Sequence, residues 1–285
     1  GVQTCALPIF DSLHGRQPRR ARDRYNRPVT DVKALILDMD GVLWRADQPI
    51  GDLPAILQAI AVKGLQVAYA TNNATRTVDQ FVDKLGSMSI DARPEQIYTS
   101  AKATARYLSE QYPQGGPVYM IGEVGLQEAL ETAGFRISDQ KPLAVMVGLD
   151  NEVTYAKLRT ATLLVRAGAP LIGTNPDRTL PTPEGLVPGA GAIIAAIEAA
   201  TDTQATIIGK PQGAMLQDAM QDLGLAPEQT LMVGDRVETD IAAGQAVGCR
   251  TALLLSGVTS EAAARAWQPA PDHIEADLTT LVSKL

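Results

Sequence analysis

From Asp31 onward, short apolar runs alternate with amphipathic stretches of helical length, the pattern of a parallel sheet wrapped by helices. The runs Ala34 to Leu37, Leu65 to Ala70, Ala205 to Ile208, Leu231 to Val233 and Thr251 to Leu255 predict core strands. The first four lead at once into polar side chains: Asp38, Thr71, Lys210 after Gly209, and Asp235 after Gly234. In an open parallel sheet the ligand crevice lies outside the carboxyl ends of the strands, so these four residues are expected to converge on one edge.

The intervals between those residues divide the chain. Asp38 to Thr71 spans 33 residues and Lys210 to Asp235 spans 25, each about one strand-helix repeat, whereas Thr71 to Lys210 spans 139. After a strand near Ile97 and a helix from Lys102 to Gln111, a second series begins. It comprises strands Val118 to Ile121, Ala144 to Val147 and Leu171 to Gly173, and helices Leu126 to Ala133, Tyr155 to Ala167 and Gly191 to Ala200. The expected fold is α/β: a Rossmann-like parallel-sheet core at 31–114 and 204–285, with a smaller α/β unit inserted at 115–203. Turn-forming residues 114–117 and the polar stretch 201–204 bound that insertion. Residues 1–30 carry six arginines against two aspartates and no helical or strand period. They lack the order of a secretory signal and read as a disordered arm, or one foreign to the native gene product.

Composition narrows the chemistry. With 45% hydrophobic and 20% charged residues, the chain has enough apolar mass for a real core. A net charge of -7 opposes binding to nucleic acid or to an anionic membrane, so neither is expected as a partner. No apolar stretch reaches the eighteen or so residues of a spanning helix. Cys5 and Cys249 are far apart and form no CxxC pair, which suggests neither a disulfide framework nor a zinc site and predicts a reducing, cytoplasmic setting. With His14 and His273 the only histidines, catalysis must rest on carboxylates and oxygen ligands.

Asp38-Met39-Asp40-Gly41 places two carboxylates two residues apart behind a buried strand. Asp and Gly also make ordinary turns, but two close carboxylates repel unless a proton or cation intervenes, and a hard divalent ion suits oxygen ligands. The second acidic cluster, Asp235 to Asp240, would bring further carboxylates to the same edge; alone it reads as a solvated loop. Thr71-Asn72-Asn73 is read as opening the helix around Val78 to Leu85, where it can receive an anion or simply cap the helix. Lys210 by itself reads as surface charge.

In order and spacing the four elements together resemble the haloacid dehalogenase superfamily, over about residues 31–283. Asp38 to Arg45, Ala70 to Asn73, Gly209-Lys210-Pro211 and Gly234 to Ile241 are similar to its branch of p-nitrophenylphosphatase and phosphoglycolate-phosphatase-like enzymes, subfamily IIA. That branch carries a type IIA cap between its second and third motifs, where the insertion falls. The resemblance implies a Mg2+-dependent phosphatase acting on a small phosphomonoester. Asp38 would be the nucleophile and a metal ligand, and Asp40 the general acid and base, its backbone carbonyl on the metal. Thr71, Asn72 and Asn73 would bind the phosphoryl group, Lys210 would neutralise charge, and Asp235 would ligate the ion. Asp240 would support the site through Lys210 or a metal-bound water.

In the insertion, Asn175 and Asp177 are candidate specificity residues, though turn chemistry explains them equally well. Leu180 to Gly185 and Pro188 to Gly191 form a rim or a plain connector, and Trp44 and Arg45 are given no role. The family association also implies a homodimer through the cap. A phosphotransferase or mutase on the same scaffold, and a silent phosphate-binding protein, remain as alternatives.

Overall fold

All four residues of strand Ala34–Leu37 are buried, which requires cover on both faces of the sheet. In the computed structural model, which describes residues 31–182 and 184–285, this strand lies inside a six-stranded sheet. The order is His273–Glu275, Arg250–Leu254, Thr230–Gly234, Ala34–Leu37, Gln66–Thr71, Ile97–Thr99, and every pairing is parallel. The basic arm at 1–30 lies outside the described residues.

Strand alternation sorts the core into two layers. Leu35, Leu37, Leu231 and Val233 pack with Leu53, Ile60 and Phe81, whereas Ile36, Ala70 and Met232 pack with Met215, Leu216 and Ala219. Helix Leu53–Val62 starts behind Asp52, whose side chain accepts from the Ala55 N–H, and carries a proline in its first turn. Helix Val78–Ser87 starts at Thr77, which forms a reciprocal capping box with Gln80. The expectation that Thr71-Asn72-Asn73 opens this helix is therefore corrected. Thr77 and Gln80 take over the orphan donors of the first turn; Thr71 ends strand Gln66–Thr71, and Asn72 and Asn73 lie in the loop that follows.

The second sheet is five-stranded and parallel, in the order Thr206–Ile207, Leu171–Gly173, Val145–Val147, Gly116–Ile121, Phe135–Ile137. A further correction concerns its first member. The run from Ala205 to Ile208 was expected in the core sheet, but Thr206–Ile207 pairs with Ile172 and Gly173 at the edge of the second. The physical reason is visible in its burial: Thr206 is exposed and Ile207 only half-buried, an edge environment rather than a covered central position. Lys210 is consequently delivered by the chain as it crosses back from the second sheet, not by the end of a core strand.

The two units share apolar packing. One contiguous cluster runs from Met215 and Leu216 through Ala103 and Leu108 of helix Ser100–Gln111 to Leu126 and Leu130 of helix Val124–Thr132, and on to Val118 and Met146 of the second sheet. Within the stretch expected as a rim or connector, Thr179–Thr182 pairs antiparallel with Gly185–Pro188 as a hairpin, and Thr179, Leu180 and Thr182 border the cavity. No helix among the described residues is long and apolar enough to cross a membrane.

Cys249 fits its expected place as a small core residue. It is buried, its Sγ lies 3.4 Å from the sulfur of Met220, and burial, with a smaller contribution from Glu228, pushes its thiol up to about 12. At pH 8 a thiol alkylating agent is expected to leave Cys249 unmodified in the native chain and to label it fully in denaturant, as read by peptide mass spectrometry. Rapid native-state labelling would contradict the packing described.

Candidate active site

Asp38 follows strand Ala34–Leu37, and its backbone N–H is held by the carbonyl of Val233 on the neighbouring strand at 2.8 Å. Asp235 follows that neighbouring strand, Thr230–Gly234. A five-residue π-helical turn, Val237–Ile241, then brings Asp240 back beneath the strand end. There Asp240 Oδ2 accepts from the backbone N–H groups of Asp235 (3.1 Å) and Arg236 (3.0 Å). Carboxylate oxygens of Asp38, Asp235 and Asp240 all lie within 4.8 Å of one another, and all three residues are buried.

Lys210 binds this cluster from the side. Its Nζ donates to Asp38 Oδ1 at 2.5 Å and to the Ala70 carbonyl at 2.9 Å, and lies 2.7 Å from Asp240 Oδ1. Those three partners match the three protons of the ammonium. Burial alone would lower the lysine's pKa, but the charges of Asp240 and Asp38 outweigh it, so Lys210 is held protonated above its ordinary value.

One cation does not balance three anions. Carboxylates at such separations repel by roughly 3–4 kcal/mol per pair at an effective dielectric of about 20. Burial, reinforced by Asp240 and Asp235, raises the Asp38 carboxyl well above its ordinary range despite the opposing Lys210. Asp235, which Lys210 does not bond, is pushed up to about 7 by burial and by Asp240, against the lowering effect of the Val258 N–H at 2.7 Å. Hard oxygen donors, tight grouping and a formal deficit of two positive charges suit a divalent cation of the magnesium class.

Gly41 is where this arrangement constrains the backbone most. Its φ of +88° is left-handed, and a Cβ built there would stand 2.6 Å from the Asp235 carboxyl carbon. The preceding Asp40 is outside the three-carboxylate group: its Oδ1 accepts from the indole N–H of Trp44 at 2.7 Å. Trp44 is fully buried, and Lys84 Nζ sits 4.3 Å over its ring. Its role in orienting Asp40 was not found by sequence reasoning; an aromatic four residues after Asp40 reads only as packing. Arg45, likewise passed over, donates to the Ser256 carbonyl.

A cavity of about 520 Å³ opens over these groups. Thr71, Asn72, Asn73, Asn175 and Asp177 line it together with Asp38, Asp40, Lys210, Asp235 and Asp240, so every residue singled out from the sequence reaches one crevice. Their hydrogen bonds differ in kind. Asn72 ties the two units: its amide donates to Asp177 Oδ2 (3.2 Å) and to the Lys210 carbonyl (2.9 Å), and its own carbonyl accepts from Asn175 Nδ2 (2.7 Å). Asn73 Oδ1 accepts from the Thr75 N–H and hydroxyl, and Thr71 Oγ1 accepts from the Asn73 N–H. Asp177 is raised above its ordinary pKa by burial, against the charge of Arg236 and the Asn72 hydrogen bond. Arg236 also lines the cavity and was not among the sequence candidates; its position next to Asp235 carried no separate signal.

Three grouped carboxylates that could hold a divalent ion, beside a fixed ammonium, make a site suited to phosphoryl transfer. Residues 35–136 match the family described as haloacid dehalogenase-like hydrolase, and residues 207–281 match a HAD-hydrolase-like family. An acid sugar phosphatase of Staphylococcus aureus is 41% identical over 258 residues, covering 90% of this chain and 99% of that protein. A thermostable NPPase from Geobacillus stearothermophilus is 40% identical with a TM-score of 0.81, covering 87% of this chain and 97% of that one. The 4-nitrophenylphosphatase of Thermotoga maritima is 30% identical with a TM-score of 0.85, covering 90% and 98%. The chain belongs to the haloacid dehalogenase-like hydrolases, subfamily IIA.

Trp44 is the least expected contributor to this geometry, and Trp44→Phe removes its hydrogen bond while keeping an aromatic ring in the core. Loss of the indole N–H from Asp40 is expected to lower kcat on p-nitrophenyl phosphate about tenfold, while the thermal midpoint falls by only a few degrees. An unchanged kcat would remove Trp44 from the orientation of Asp40.

Proposed function

We propose that this phosphatase is magnesium-dependent and hydrolyses small phosphomonoesters, phosphorylated sugars among them, through an aspartyl phosphate on Asp38. The observation that carries the reading is the Asp38 carboxylate held at 2.5 Å by Lys210 within the three-carboxylate group, at the base of a cavity of about 520 Å³. Sugar phosphates are supported by the name of the Staphylococcus aureus relative.

Asp38, Asp235 and Asp240 would hold the ion, directly or through water, with the Asp40 carbonyl as a further ligand. An ion held there would supply positive charge to offset that of the phosphoryl oxygens. With Oδ1 engaged by Lys210, the other oxygen of Asp38 attacks phosphorus, and the bond to the leaving oxygen breaks. Asp40 gives its proton to that oxygen, then takes one from the water that hydrolyses the acyl phosphate. Trp44 occupies one oxygen of Asp40 and leaves the other for this proton. The Thr71 hydroxyl and Asn73 amide, which line the cavity, would bind the transferring group, while Lys210 would offset charge that moves between Asp38 and phosphate. Residues 115–203 act as a cap. Asn175 and Asp177 stand on its cavity side, and the hairpin at 179–188 contributes to the wall that keeps bulk water from the acyl phosphate.

Nucleophile replacement is the test. Asp38→Asn is expected to lower kcat on p-nitrophenyl phosphate by on the order of 10⁴ or more, and acid quenching of the wild-type reaction with 32P-labelled substrate is expected to leave label on the peptide bearing Asp38. Retention of a tenth of the activity by Asp38→Asn, or label on another peptide, would overturn the reading.

A further inference from the structure

Three cations line the cavity, and two are committed. Lys210 is bound on three sides, and Arg45 donates to the Ser256 carbonyl. Arg236 differs. Its backbone N–H is held by Asp240, but its guanidinium makes no hydrogen bond and no ion pair among the described residues. It is half-buried, so it is neither freely solvated nor sealed in the core.

Its charge acts on Asp177, which reaches the same cavity from the second unit, yet the two do not close into an ion pair. Arg236 carries five N–H donors and Asp177 has free acceptor lone pairs, and both residues border the one cavity without pairing with each other. Asp177 Oδ2 accepts only the long bond from Asn72, so acceptor capacity remains. A carboxylate inserted there would meet Asp177 as a like charge. An alcohol hydroxyl would meet both partners correctly, accepting from Arg236 and donating to Asp177. An apolar chain would satisfy neither, and it would strip water from two charged groups without replacing it.

We propose that Arg236 and Asp177 form a hydroxyl-reading bracket, which selects phosphomonoesters whose alcohol portion carries hydroxyl groups beyond the ester oxygen. The bracket rests on the phosphatase reading above and deepens it: Arg236 comes from the loop that supplies Asp235, and Asp177 from the inserted unit. Recognition of the leaving group therefore spans both units. The bracket addresses the alcohol, although Asn72 bonds Asp177 and Asp240 holds the Arg236 backbone, so it abuts the phosphate end of the cavity.

The test compares ribitol 5-phosphate with n-pentyl phosphate, which match in chain length and differ in hydroxyls. Wild-type kcat/KM is expected to favour the hydroxylated substrate by at least about tenfold, and Arg236→Met to shrink that ratio to near one through a rise in KM for ribitol 5-phosphate. Asp177→Asn is expected to shrink the ratio too, and the double variant to lose little more than either single one, since the two side chains hold the same hydroxyl. Arg236→Lys, which retains charge and a donor, is expected to restore part of the ratio; thermal midpoints measured on all variants identify any that fail to fold. A wild-type ratio near one overturns the bracket, as does a ratio that Arg236→Met and Arg236→Lys leave unchanged while both substrates slow equally. If wild type and Asp38→Asn release phosphate from neither substrate nor from p-nitrophenyl phosphate, the phosphatase reading fails instead.

Discussion

The contact between the Lys210 ammonium and the carboxylates of Asp38 and Asp240 is the constraint from which the site follows. It joins residues supplied by three separate stretches of chain, and its third proton goes to the Ala70 carbonyl at the end of a neighbouring core strand. Breaking such a buried pair typically costs about 3–5 kcal/mol, whereas replacing the whole group with well-packed apolar residues is often neutral or stabilising. Stability alone does not call for this arrangement. It is understood as a device that fixes one carboxylate in a low-dielectric crevice and leaves the group short of positive charge.

Because Lys210 comes off the edge strand of the second sheet, the same contact fastens the inserted unit to the core. The chain leaves the core sheet after Ile97–Thr99, passes through helix Ser100–Gln111 and the second sheet, and returns through Thr206–Ile207 just before Lys210. Asn72 adds hydrogen bonds to Asp177 and the Lys210 carbonyl, and the cluster around Leu108 and Leu126 adds apolar packing. Polar ties around the cavity and apolar contact behind it hold the units in one arrangement, with Asp177 brought over the carboxylates. Residues of both units thereby line one cavity.

Much of this was legible in the sequence because strand ends in a parallel sheet are forced onto one edge. Asp38, Thr71 and Asp235 end buried runs, and the 139-residue interval exposed the insertion. What was hidden had physical causes. An apolar run such as Ala205 to Ile208 announces a strand without naming its partner, so its membership of the second sheet emerged only from the pairing with Ile172 and Gly173. Thr179–Thr182 and Gly185–Pro188 contain two of the chain's prolines and a glycine, which read as loop although the two strands pair as an isolated hairpin. Trp44 and Arg236 were silent for another reason: a tryptophan looks like core and an arginine beside an acidic motif looks like solvated charge until distances are known.

The central claim is one of charge: three buried carboxylates and one ammonium leave a deficit of two positive charges that a dication would fill. Calorimetric titration of Mg2+ into chelator-treated protein tests it most directly. One ion bound per chain is predicted, with binding lost or weakened by at least a hundredfold in Asp235→Asn. No uptake of Mg2+ by the wild-type chain, or equal affinity in the two proteins, would contradict it.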